Sequence, residues 1–149
     1  MVKWSQVIFV LALGFVLSLS ACKEKKPPLS ERIAKAWTAE TVKHDNVIVY
    51  SRGGSNNAVP GYVAYLLILG SDNSVSLTEF DGNSFTGEWE LQGETRLIIK
   101  NLGPKPPTNS GGVLEFTIKS IKDNELVLAR VSPSTKTGNT VNEYVLTVR

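Results

Sequence analysis

Ser84-Phe85-Thr86-Gly87-Glu88-Trp89-Glu90-Leu91 puts Phe85, Gly87, Trp89 and Leu91 on one side of an extended chain and Thr86, Glu88 and Glu90 on the other. A two-residue period marks a strand with one buried and one solvated face. Asp81-Gly82-Asn83 before it and Gln92-Gly93-Glu94 after it are turn formers, so this strand is the middle of a meander. Upstream, the pattern predicts strands over 74–80, 61–70, 47–51 and 37–44, with Asp72-Asn73 as a turn and 52–60 as a polar loop. Alternation in 37–44 turns Trp37, Ala39 and Thr41 to one face and Thr38, Glu40 and Val42 to the other. Segment 61–70 is the most apolar of these strands, and Tyr65 is expected inward with Val63, Leu67 and Leu69.

Downstream, strands are predicted over 95–100, 113–120, 125–131 and 141–149, with Asp123-Asn124 as a turn. Leu114, Phe116 and Ile118 oppose Glu115, Thr117 and Lys119, and Tyr144, Leu146 and Val148 share a face of the last strand. Residues 102–112, with three prolines and three glycines, form the longest interruption, and 132–140 is polar and turn-forming. Ser30 is placed to cap a short helix over 31–36 that turns Ile33 inward.

Eight or nine short antiparallel strands joined mostly by hairpins are expected, an all-β domain over 30–149 with one short N-terminal helix. Such a meander must protect its sheet edges, and closing into an up-and-down barrel removes them. A two-sheet sandwich also satisfies the alternation, but the dominance of hairpins favours the barrel. An eight-stranded barrel has an interior that side chains just fill or that holds one small ligand.

The short helix running into Trp37, the Gly87-Glu88-Trp89-Glu90-Leu91 strand, Leu97-Ile98-Ile99 after a tight turn, Glu125-Leu126-Val127-Leu128-Ala129-Arg130 and the closing Tyr144-Val145-Leu146-Thr147-Val148 resemble the small lipocalin-like lipoproteins of bacterial envelopes. Where lipocalins carry a glycine two residues ahead of the first-strand tryptophan, this chain has Lys35. The resemblance implies a calyx with one open end for a small hydrophobic molecule.

The N-terminal residues read as a targeting segment. Lys3 supplies a positive start, 7–19 is uncharged and apolar, and Leu19-Ser20-Ala21-Cys22 looks like the lipobox of a bacterial lipoprotein signal peptide over 1–21. A helix of that apolar length would rise roughly 20 Å against a hydrocarbon core of about 30 Å, short for a span. Cys22 is the only cysteine in the chain, and it is the expected lipidation site. More than one acyl chain there makes membrane attachment effectively permanent. Residues 22–29, carrying Lys23, Lys25, Lys26, Pro27 and Pro28, form a tether whose reach after the cysteine is roughly 23 Å at about 3.3 Å per residue. Its lysines either attract anionic lipid weakly or serve only as a solvated linker. Lys23, and not aspartate, follows Cys22, so the outer membrane of the bacterial envelope is the expected address, on a periplasmic or surface-facing leaflet.

Charge excludes some partners. The chain carries 16 Lys and Arg against 14 Asp and Glu, nearly balanced beyond the tether, so no basic footprint for nucleic acid is present. Catalysis has little to work with, and the chain is expected not to be an enzyme. His44 is the single histidine, which excludes a multi-histidine metal site, and His44-Asp45 is expected to lie in a solvated turn. No serine sits in a nucleophile-elbow context, no calcium-loop pattern surrounds Asp72, Asp81 or Asp123, and no cofactor is called for.

Trp37, Tyr65, Phe85, Trp89, Phe116 and Tyr144 fall on the face expected to point inward, where they either line a pocket or fill the core. Arg130 or Arg149 is expected to stack on Trp37 and plug the closed end. Two functions stay open. One is a tethered carrier or sensor of a small apolar molecule. The other is a filled barrel whose loops 52–60, 102–112 and 132–140 bind an envelope protein.

Overall fold

The computed structural model describes residues 25–105, 107 and 109–149. Segment 1–21, Cys22 and the first tether residues lie outside the described residues. Among the described residues no helix is long and apolar enough to cross a membrane.

A short helix α1 (Leu29–Ile33) leads into nine strands: β1 (Ala36–His44), β2 (Val47–Ser51), β3 (Leu66–Leu69), β4 (Ser74–Thr78), β5 (Ser84–Gln92), β6 (Arg96–Gly103), β7 (Leu114–Ile121), β8 (Glu125–Arg130) and β9 (Asn142–Val148). Every neighbouring pair is antiparallel, and β9 returns to pair with β1 from Trp37↔Val148 to His44↔Asn142. The expected barrel therefore closes. Eight strands form it, and β2 is the ninth, extra strand. The first part of β1 pairs with β3 (Ala36↔Ile68 to Thr38↔Leu66), while its last part pairs with β2 (Thr41↔Ser51 to His44↔Val47). The outer edge of β2 is covered by the returning chain. Val59 N–H donates to Val49 O at 3.0 Å, and the Asn57 amide both accepts from Ser51 N–H and donates to Ser51 O, as a neighbouring strand would.

β5 keeps the faces its sequence announces. Phe85 and Trp89 are buried, Gly87 and Leu91 half-buried, and Thr86, Glu88 and Glu90 exposed. At Gly87 the strand passes so close to β6 that a Cβ would lie 2.5 Å from Lys100 O, where the β5–β6 register also shifts. Only glycine lets the two backbones meet there.

Three expectations need correction. In β1 the residue turned inward after Trp37 and Ala39 is Val42, not Thr41, because the register against β9 slips between Ala39 and Thr41. One extra residue reverses the alternation beyond it. Segment 61–70 is not one strand. Pro60–Ala64 is a 3-10 helix with Pro60 in its first turn, and only Leu66–Leu69 pairs. Proline presets a helical φ, and Gly61 lies on the Phe80 backbone, where a Cβ would meet the carbonyl oxygen at 2.3 Å. Tyr65, Leu67 and Leu69 are buried as expected, but the residue buried ahead of them is Tyr62, three before Tyr65, and Val63 is 76% exposed. The helix runs over 29–33, earlier than expected. Pro28 occupies the N-cap position and its carbonyl accepts from Glu31 and Arg32 N–H, so Ser30 caps nothing, while Ile33 is buried as expected.

The two ends differ. At one end α1 folds beneath the strands: Arg32 donates to Ile121 O at 3.0 Å, Lys35 donates to Asp123 O, and Trp37 Nε1 donates to Ile33 O at 2.8 Å. Ile33, Trp37, Leu126 and Leu146 are fully buried. This is the closed end. The other end is ringed by the β1–β2 turn at Asp45-Asn46, the 79–83 turn, and the connections 104–113 and 131–141.

Candidate functional site

Beneath that second rim lies a cluster of rings. Tyr62, delivered by the 3-10 helix, has ring centroids of Phe80, Tyr50, Tyr144 and Tyr65 at 5.0, 6.0, 6.2 and 6.3 Å. Tyr65 stacks on Tyr144 at 5.1 Å, and Phe116 meets Tyr144 edge-on at 6.1 Å. Of the six side chains chosen from sequence, the structure brings Tyr65, Phe116 and Tyr144 together here. Phe85 lies at the rim, with Lys136 Nζ 5.5 Å from its ring. Trp37 and Trp89 stand apart from this cluster. Trp89 Nε1 donates to Gly70 O at 2.9 Å, near the closed-end turn, and the cation over Trp37 is Lys35, 5.7 Å away, not Arg130 or Arg149.

Polar groups thread the rings. Burial is the main force raising the Tyr62, Tyr65 and Tyr144 hydroxyl pKa values, with Arg130 pulling the other way on all three, so they stay neutral. Asn142, almost fully buried, donates to Tyr144 Oη at 3.3 Å and accepts from Thr140 and Thr137. Lys136 bridges the rim, donating to Glu79 and, at 2.8 Å, to Asp81. Burial alone would lower the lysine pKa and raise that of Asp81, but their hydrogen bonds outweigh it in both, so each stays charged. Arg130 follows Leu126 and Leu128 on the inward face of β8, and its Nε–H is buried with no hydrogen-bond partner.

Connections 104–113 and 131–141 meet across a concavity of about 450 Å³ lined by Asp81, Phe85, Pro104, Lys105, Pro107 and Lys136, among others. Loop 52–60 lies elsewhere, on the barrel wall, where Arg52 pairs with Glu40 at 2.9 Å. Sequence reasoning missed Tyr62, Glu79, Arg130 and Lys136 as rim residues. For Glu79 a signal existed, since it continues the inward parity of Val75 and Leu77.

His44 is not merely a turn residue. Its Nε2 is 2.8 Å from Tyr62 Oη, and burial lowers its pKa from 6.5, against a smaller upward pull from Asp45. The unfolded imidazole therefore takes a proton more readily than the folded one. Stability should be complete above about pH 6.5 and fall as pH drops through the lowered folded value, then level off. Melting temperatures measured between about pH 7.5 and 5 should show this slope, and His44→Gln should flatten it.

Comparison with protein-family models finds no match, and comparison with curated proteins finds none either. Solved structures do match. A lipocalin-like protein from Bacteroides uniformis superposes with a TM-score of 0.53 at 14% identity, covering 79% of this chain and 99% of that one. An uncharacterized protein from Bacteroides eggerthii gives 0.48 at 12% identity, covering 78% and 98%. The first likeness is one of fold: the domain is a lipocalin-like closed barrel.

Proposed function

We propose that the chain is an envelope lipoprotein, anchored through Cys22 in the outer membrane, whose barrel binds a small hydrophobic molecule at its ring-lined end. The observation that carries this is the contrast between the ends. One is sealed by α1, Ile33 and Trp37, whereas the other gathers Tyr62, Tyr65, Phe116 and Tyr144 beneath loops. The rings touch one another, so an entering molecule exchanges ring–ring contacts for ring–ligand contacts. The described tether residues lead into α1, which supports a closed end facing the membrane and a mouth facing away. Lys26, Arg32, Lys35 and Lys122 outnumber Glu31 and Asp123 around a concavity of about 610 Å³ on that side, suited to lie near headgroups.

Native mass spectrometry of the chain from Lys23 onward, which holds every strand and every described core residue, tests the carrier. A retained apolar molecule, lost in Phe116→Ala, is expected. No bound mass and no response to apolar probes would sink it. The second function is then favoured by Val113, Val131 and Val141, each about 40% exposed at the loop bases, with Val47 and Ile48 exposed on the β1–β2 hairpin. Replacing loops 104–113 and 131–141 should then abolish capture of a partner.

A further inference from the structure

We infer that the molecule bound at the mouth is an amphiphile, an apolar chain ending in a carboxylate or phosphate, and that Arg130 reads its anionic head. This rests on the carrier function proposed above. Arg130 turns into the barrel, yet its Nε–H is buried without a partner, and it makes no ion pair among the described residues. A buried donor left unmade is costly and rare, and one on a charged group is a stronger case than one on a neutral amide. Its obvious acceptor is taken. Glu79 is held by Lys136, and the Lys136–Glu79–Asp81 group carries one net negative charge that offsets Arg130 from a distance without reaching its N–H.

The planar fork of arginine matches two oxygens of a carboxylate or phosphate, which accept its donors in pairs. Tyr144, paired with Leu128 across the β8–β9 ladder, and Tyr65 stacked on it carry neutral hydroxyls able to donate to the same oxygens, whereas the Tyr62 hydroxyl is engaged by His44 Nε2. Directly across the β7–β8 ladder sits Phe116, an apolar wall for the tail. An oxyanion on an apolar chain is the ligand class that satisfies both surfaces.

Titration of the chain from Lys23 onward with dodecanoic acid, dodecyl phosphate and dodecanol, all below micelle formation, separates the terms. At least one of the two anions should bind about tenfold or more tightly than the alcohol, and their order identifies carboxylate or phosphate. Arg130→Gln should reduce that anion to the level of the alcohol. The same variant should melt no lower than the parent, because a buried donor without a partner has been removed. Equal binding of anions and alcohol by the unaltered chain, a comparison that needs no variant, overturns the headgroup inference and leaves the carrier standing. A preference that survives Arg130→Gln also overturns it. Binding of none of the three overturns both.

Discussion

Trp37→Ala should destabilise the barrel by about 3–5 kcal/mol, enough to remove most of the stability a small domain possesses. The indole is fully buried and sits where three constraints meet. Its backbone is paired on both edges, to Leu67 of β3 and Val148 of β9, so it holds the barrel seam. Its Nε1 donates to Ile33 O, which fixes α1 beneath the strands, and Lys35 lies over its ring. Alanine leaves a cavity that rigid strands cannot collapse into, and it removes one of the two donors on the Ile33 carbonyl, which keeps only Lys35 N–H at 2.8 Å. Trp37→Phe keeps most of the apolar volume and loses the donor, so its cost should be nearer 1–2 kcal/mol. Urea denaturation of the three proteins reads both steps. Equal midpoints for parent and Trp37→Ala would mean that α1 and Trp37 do not seal the barrel.

Which parts of this architecture could be seen in the sequence follows from how strands meet solvent. β5, β7 and β9 each have one dry and one wet face, so alternation announced them and the inward placement of Phe85, Trp89, Phe116 and Tyr144. Where a segment is apolar throughout, parity carries no information. The stretch around Tyr62 and Tyr65 was such a case, and there the fixed φ of Pro60 and the approach of Gly61 to the Phe80 backbone decided for a 3-10 helix. The slip between Ala39 and Thr41 is set by register against β9, roughly a hundred residues away, and leaves no local mark. Arg130 and Glu79 did carry the inward parity of their strands, but charge argued for a surface or for the closed end. Lys136 had no period at all, because a loop's path is fixed by what it reaches, and here it reaches across the mouth.

That reach gives the second large effect. Lys136→Met should cost about 2–3 kcal/mol and loosen connection 131–141, because Glu79 and Asp81 would be left facing each other without a cation. The Lys136, Glu79 and Asp81 side chains are 14%, 11% and 31% exposed, so solvent repairs less of the loss than at an open surface. The value lies below that of a fully buried pair because Asp81 can still turn to water. Glu79→Met added to Lys136→Met should recover a substantial part of the loss, since the most buried carboxylate then has an apolar neighbour and no charge to bury. The ion group's pH range follows from its pKa directions. Asp81 is depressed, so its contribution is complete above 3.8 and is lost as pH falls through the lower folded value. Lys136 is raised, so its contribution is complete below 10.5 and is lost as pH rises through the higher folded value. Neither limit falls between about pH 7.5 and 5, which separates the Asp81 and Lys136 contributions from the His44 slope. Amide hydrogen exchange at Gly138 and Asn139, whose N–H groups donate to Thr135 O and Ser134 O, reports the loop directly. Their exchange should accelerate in Lys136→Met while amides of β5 change only with global stability. If the loop amides exchange no faster and the melting temperature holds, then 131–141 is kept in place by the Asn142 network and not by Lys136. If they accelerate, connection 131–141 is held across this end of the barrel by one side chain.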